Sequence, residues 1–288
     1  MTTARILDFI NTRRPEGPCL VVDLDVVRDN FGAFRHALPD SAIYYAVKAN
    51  PAPEILQLLA SLGSNFDCAS VAEIQMALNA GASPARVSYG NTIKKERDIA
   101  RAYERGVRLF AVDCEAEVEK IARVAPGSKV FCRILCDGEG AEWPLSRKFG
   151  CDPEQLLPLA RRAHDLGLTV QGLSFHVGSQ QVNLDAWDRA LGDAKRVFAT
   201  LAEEGIAWRV QEHADAPMGH RVVFFVRSAE QPEDPTSAHS LGGRGILDAN
   251  GPDTATRACF ADRGSKEGCL LVVAFHQIDP TSALLSQN

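Results

Sequence analysis

Short apolar runs alternate with amphipathic stretches along the first two hundred residues, and this alternation constrains the fold more than any other feature. After the strand-like run CLVVDLDVV come AIYYAVK, SNFDCAS, RVSYGN, RLFAVDC, KVFCRILC and LTVQGLSFHVG, spaced by helix-like segments. Val27, Phe31, Phe34 and Leu38 share one face of the first such segment, and Ile55, Leu58, Leu59 and Leu62 share one face of a second. Gly63 and Gly167 stand where helices should close. Ser70 and Glu73 have capping-box spacing, and Asp152-Pro153-Glu154-Gln155 reads as a cap with proline at the first helical position. Strand alternating with helix at intervals of roughly 20–40 residues predicts βα units and a parallel sheet.

A (β/α)8 barrel and an open doubly wound sheet both fit that order. The positions of the polar residues favour the barrel. Lys48, Asp67, Asn91, Asp113, Arg133 and His176 each lie at or just past the C-terminal end of an expected strand. In a barrel those ends converge on one mouth, where active sites are built. A doubly wound sheet would more often carry a glycine-rich phosphate turn after its first strand, and none is present.

Composition narrows the function classes. With 288 residues, 45% hydrophobic and 24% charged, the chain reads as soluble and globular. A net charge of −6 gives no footprint for nucleic acid or an anionic membrane. No apolar run has the length of a membrane span, and the N-terminus lacks the apolar core of a secretory signal. Eight scattered cysteines suit a reducing cytoplasm. Cys132 and Cys136 lack a second pair and read as buried thiols, not as metal ligands.

A lysine at a strand end among apolar side chains has its ammonium disfavoured by desolvation, which frees an amine for Schiff-base chemistry. An imidazole at His176 can stack on an aromatic cofactor, and Ser179 with Gly178 can donate to a phosphate. Asp67 and Arg133 could orient the ring and its substituents. Together these groups suit pyridoxal phosphate. Each also has a plain structural role: a solvated strand-end lysine, a core histidine, a helix-capping Glu73, an Arg133 paired with a carboxylate. It is their shared position at strand ends that favours the chemical role.

The motifs YYAVKANP, NFDCASVAEI, WPLSRKFG and GLSFHVGSQ resemble the barrel half of the fold-type III pyridoxal-phosphate decarboxylases, nearest to bacterial ornithine decarboxylases, from about Thr3 to Ala207. The resemblance implies that Lys48 carries the cofactor, His176 stacks on its ring and Ser179 meets its phosphate. It also implies that Asp67, Glu73 and Arg133 line the cleft. The implied reaction is loss of CO2 from L-ornithine to give putrescine, in an enzyme that is a homodimer in this family.

The resemblance ends near Trp208. The family's glycine turn (L-G-G-G-F-P), its E-P-G-R motif and its C-terminal β domain have no counterpart between Trp208 and Asn288. Residues 1–207 therefore read as a barrel domain with about six of eight βα units. Residues 208–288 read as a divergent tail with two strand-like runs, HRVVFFVRSA and GCLLVVAFHQI, which could stand in for the missing strands. An alternative to an active enzyme is a truncated, inactive relative that acts as a protein-binding decoy. If the ring stays open, an unpaired sheet edge and poor solubility are expected.

Overall fold

The computed structural model describes residues 4–37, 41–136, 139, 141–143, 148–181, 183, 185–203, 221–226 and 270–274. Two helices, α1 (Ala4–Arg13) and α2 (Leu24–Ala37), precede the sheet. Next come β1 (Ala42–Ala46), α3 (Pro53–Ser61), β2 (Asn65–Cys68), α4 (Val71–Asn79), β3 (Val87–Tyr89), α5 (Glu96–Glu104), β4 (Leu109–Val112), α6 (Glu115–Val124) and β5 (Lys129–Arg133). The chain continues through β6 (Ala141–Trp143), α7 (Pro153–Asp165), β7 (Thr169–Phe175), β8 (Ser179–Gln181), α8 (Asp185–Glu203), β9 (Arg221–Val226) and β10 (Leu270–Ala274).

Eight strands close into a parallel barrel in the order β1-β2-β3-β4-β5-β7-β10-β9. The first six follow one another in sequence, each reached through a helix, as the alternation predicts. The two strands of the tail complete the ring: β10 pairs with β7, β9 pairs with β10, and β9 pairs with β1. The unpaired edge expected of an open barrel is therefore not present. The tail supplies strands in exchanged order, however, and among the described residues no helix follows β9 or β10. Among the described residues, six βα units are complete.

One sequence expectation fails at the start of the chain. CLVVDLDVV is not a strand: residues 18–23 are irregular and α2 already begins at Leu24. Leu20 is 81% exposed, and no described strand lies beside it. Without a neighbour to receive its backbone hydrogen bonds, an apolar run of this kind has nothing to hold it extended.

Local chemistry explains the element ends. Gly63 and Gly167 have φ of +87° and +77°, the left-handed turn that closes a helix at low cost to glycine. Ser70 Oγ accepts the Glu73 N–H at 3.2 Å, the N-cap half of the expected box, while the Glu73 carboxylate reaches one residue farther back and accepts the Ala69 N–H at 2.7 Å. Pro153 does open α7, but Asp152 makes no side-chain bond to it.

The core has two layers. Phe66, Phe110, Ile74, Leu56 and Phe175 are fully buried between the strands and the outer helices, and each such side chain contributes roughly 1.5–3 kcal/mol. Inside the ring, Tyr44, Ala111 and Phe131 pack together, with Ala42 and Leu109 against them. Side chains alternate along a strand, so Asp113 and Arg133, two residues beyond Ala111 and Phe131, continue these inward rows. The rows run from apolar at the barrel floor to charged at the C-terminal mouth.

Candidate active site at the barrel mouth

Lys48 sits in a single 3₁₀ turn, Val47–Ala49, that ends β1. The residues after it fix this turn. The Tyr45 hydroxyl donates to the Asn50 carbonyl at 3.2 Å, and Asn50 Oδ1 accepts the Ala52 N–H at 3.1 Å. Pro53 then opens α3. The chain turns away at once and leaves the lysine side chain exposed at the mouth.

Asp67 faces inward from β2, opposite Ser88 on β3. The Ser88 hydroxyl donates to Asp67 Oδ1 at 2.9 Å. Burial pushes the carboxyl up to about 6, against the pull of Lys48, Ser88 and Arg133, while Glu73 pushes the same way as burial. Space for this carboxylate exists because the residue beyond β3 is Gly90: a Cβ there would lie 1.9 Å from Asp67 Oδ1.

Arg133 ends β5. Burial lowers its guanidinium pKa from the ordinary value, and Asp113 and Asp67 oppose that shift. Its charge lies 5.6 Å from the centre of the Phe149 ring. Asp113 reaches across to accept the Gly150 N–H at 3.0 Å. Gly150 has a φ of +112°, and a Cβ on it would stand 2.8 Å from the Ile134 backbone. The chain beyond β5 is thus pinned back onto the strand end.

His176 follows β7 and is 5% exposed. Burial first, then the charges of Arg133 and Lys48, lower its pKa to about 3. Its Nδ1 accepts the Gly178 N–H at 2.9 Å, so the ring is neutral with its proton on Nε2. Gly178 has a φ of +105°, which turns that N–H back towards the ring. This N–H is given to the imidazole. The direction of His176 depends on a bulge. Val130 pairs with Val170 but Phe131 pairs with Gly172, so Gln171 is an extra residue on β7. A one-residue shift exchanges the two faces of a strand. It places Ser174 opposite the inward Arg133, and His176 lies two residues farther on the same side.

Lys48, Asp67, Glu73, Arg133 and His176 are therefore electrostatically coupled at one mouth. Glu73 accepts the Ala69 N–H at the start of α4 and adds its charge to the field at Asp67. Asn91 contributes its backbone, whose carbonyl accepts from Lys94 at 2.9 Å. Ser179 lies on β8, opposite Trp143 of β6 in a separate two-stranded ribbon, and its side chain is outside the described residues. Sequence reasoning missed Ser88, Gly90 and the bulge at Gln171. The bulge left a trace: buried Val170 and Leu173 are three residues apart, where a regular strand has two. No helix among the described residues is long and apolar enough to cross a membrane.

Residues 24–212 match the family of the pyridoxal-dependent decarboxylases, pyridoxal binding domain. The chain is 40% identical over 194 residues to lysine/ornithine decarboxylase of Selenomonas ruminantium, covering 67% of this chain and 49% of that protein. It is 35% identical over 201 residues to antizyme inhibitor 2 of Xenopus laevis, covering 69% and 44%. A crystal structure of lysine decarboxylase from Selenomonas ruminantium superposes with a TM-score of 0.72 at 30% identity, over 96% of this chain and 66% of that one. The chain spans about half the length of the curated relatives it matches.

Proposed function

The chain belongs to the pyridoxal-dependent decarboxylases through their pyridoxal-binding domain, and from that premise we propose that it decarboxylates a basic amino acid, L-ornithine to putrescine, with pyridoxal 5′-phosphate held on Lys48. The observation that carries this reading is the convergence of Lys48, Asp67, Arg133 and a neutral His176 on one barrel mouth. The donor set fits the cofactor: an exposed amine at a strand end, a flat uncharged ring, and a carboxylate and a guanidinium beside them. Bound there, pyridoxal phosphate supplies the electron sink that carbon–carbon cleavage at the substrate α-carbon requires.

The remaining work belongs to the chain's own residues. Lys48 provides the nucleophilic amine, and Asp67 lies close enough to interact with its charge. His176 offers an imidazole face kept neutral by burial and by the Gly178 N–H, so it packs on an aromatic ring without adding charge. Asp67 and Arg133 orient polar substituents, Glu73 fixes the start of α4 behind them, and Ser179 is assigned to the phosphate. Ornithine is one of the two substrates for which the Selenomonas relative is named, lysine being the other. A reducing compartment such as the cytoplasm suits the free thiols of Cys68, Cys132 and Cys151, all buried.

A second reading has its own support. The segment after Trp208 lacks the glycine turn and E-P-G-R, and one relative is named for inhibition of a partner, not for catalysis. In that reading the chain captures cofactor or a partner without turnover. One experiment separates the two. The chain is incubated with pyridoxal phosphate, reduced with borohydride and mapped by peptide mass, while CO2 and putrescine are measured from ornithine. An adduct on Lys48 with product formation supports the enzyme. An adduct without product supports the inactive relative, and no adduct on Lys48 overturns the cofactor assignment.

A further inference from the structure

Away from the cofactor residues, a second charged cluster is built under the same mouth. Lys94, on the loop after β3, is 3% exposed, and so is Glu117 of α6. The Lys94 ammonium donates to the carbonyls of Ala111 at 2.6 Å, Asn91 at 2.9 Å and Thr92 at 3.3 Å, and lies 3.1 Å from Glu117 Oε2. Glu117 Oε1 accepts the Lys94 backbone N–H at 3.2 Å and also pairs with Lys120. Lys120 in turn donates to the Lys94 carbonyl at 2.6 Å. Side chain, N–H and carbonyl of one loop residue are all held.

Stability alone is a poor reason for this arrangement, because the cost of burying two charges commonly offsets their attraction. What the cluster does is tie two strand ends together. Asn91 directly follows Gly90, whose missing Cβ leaves room for the Asp67 carboxylate. Ala111 lies two residues before Asp113, which holds the Gly150 N–H. We propose that Lys94 is a positioning residue: its ammonium clamps the ends of β3 and β4, keeping Gly90 against Asp67 and Asp113 against Gly150. Its importance for catalysis rests on the proposed function, whereas the clamp itself does not.

The test compares the full chain with Lys94→Met and with Lys94→Met/Glu117→Gln, which removes the clamp without stranding a buried charge. Amide hydrogen exchange is measured without cofactor, and pyridoxal phosphate affinity by titration. Exchange at Gly90 and Gly150 is expected to quicken about tenfold in both variants, as for loss of one hydrogen bond's worth of restraint. Amides of Phe66 and Val130, lower in the barrel, should keep their rates, and cofactor affinity should fall about tenfold in both variants. Wild-type rates at Gly90 and Gly150 in the double variant would overturn the clamp, since charge balance alone would then explain the cluster. Uniform acceleration across β2 to β5 would overturn it too, as would unchanged cofactor affinity in variants of a chain that binds the cofactor. If the unaltered chain takes up no cofactor, the proposed function fails, and the exchange rates still decide the clamp.

Discussion

The carboxylate of Asp67 occupies the volume that a side chain on Gly90 would fill: a Cβ at Gly90 would lie 1.9 Å from Asp67 Oδ1. The two residues sit at the ends of neighbouring strands, and the Gly90 N–H is itself bonded to the Cys68 carbonyl at 2.9 Å. Backbone retreat at Gly90 is therefore blocked, and any added carbon must displace the acid.

Gly90→Ala tests that relationship. Overpacking of this kind costs about 1–3 kcal/mol of stability. The larger effect is expected on the site, because a misplacement of about 1 Å in a catalytic constellation costs on the order of 100-fold in rate. Steady-state kinetics on ornithine and a thermal melt of the same preparation check both. Unchanged kcat/KM in the variant would show that the orientation of Asp67 does not matter.

Much of this site is legible in the sequence, and the reason is periodicity. Strand ends can be located from apolar runs, and Lys48, Asp67, Arg133 and His176 all fall at them. Two things are hidden. Gly90 and Ser88 owe their roles to a cross-strand neighbour, and register between strands is not written in either strand alone. The order of β9 and β10 around the ring is likewise a long-range pairing, with no short motif to announce it. The opposite error occurs at CLVV, where an apolar run looks like a strand but has no partner strand among the described residues.

The ionisation of Asp67 should be visible in the stability of the cofactor-free chain. Its folded pKa, about 6, lies above the ordinary 3.8, so the folded state holds the proton more tightly. That contribution is fully present below about pH 3.8 and is lost as pH rises through 6. Asp67→Asn removes the cost of burying the charge and should stabilise the cofactor-free chain at pH 7 by about 2 kcal/mol, a figure reduced for partial exposure. Urea unfolding at pH 4 and pH 7 checks the sign: the gain should shrink towards zero at the lower pH. A variant less stable than wild type at pH 7 would contradict it.

His176 should act in the opposite direction. Its folded pKa of about 3 lies below the ordinary 6.5, so the unfolded chain takes up the proton first. Stability from this residue is present above 6.5 and falls with acid, towards about 1.4 kcal/mol per pH unit. His176→Gln should flatten the loss between about pH 6 and pH 4. For the cofactor, His176→Phe should keep affinity near wild type while His176→Ala weakens it about tenfold, as loss of a stacked ring would. Equal affinities for the Phe and Ala variants would remove the stacking role.

Closure of the ring gives the last test. β10 lies between β7 and β9, paired in parallel with both. A chain ending before Leu270 would leave two parallel edges with unpaired backbone groups, a template for association. Val272→Pro removes one ladder N–H from the same strand without shortening the chain. The truncated chain should aggregate on size-exclusion chromatography and lose its cooperative melt. Val272→Pro should melt lower by the equivalent of about 1–3 kcal/mol, as for one buried ladder group left unsatisfied, with Lys48 still modified by pyridoxal phosphate and borohydride in the fraction that stays folded. If the truncated chain remains monomeric and melts as the full chain does, β10 does not close the barrel, and the mouth must be held by the six sequential strands alone.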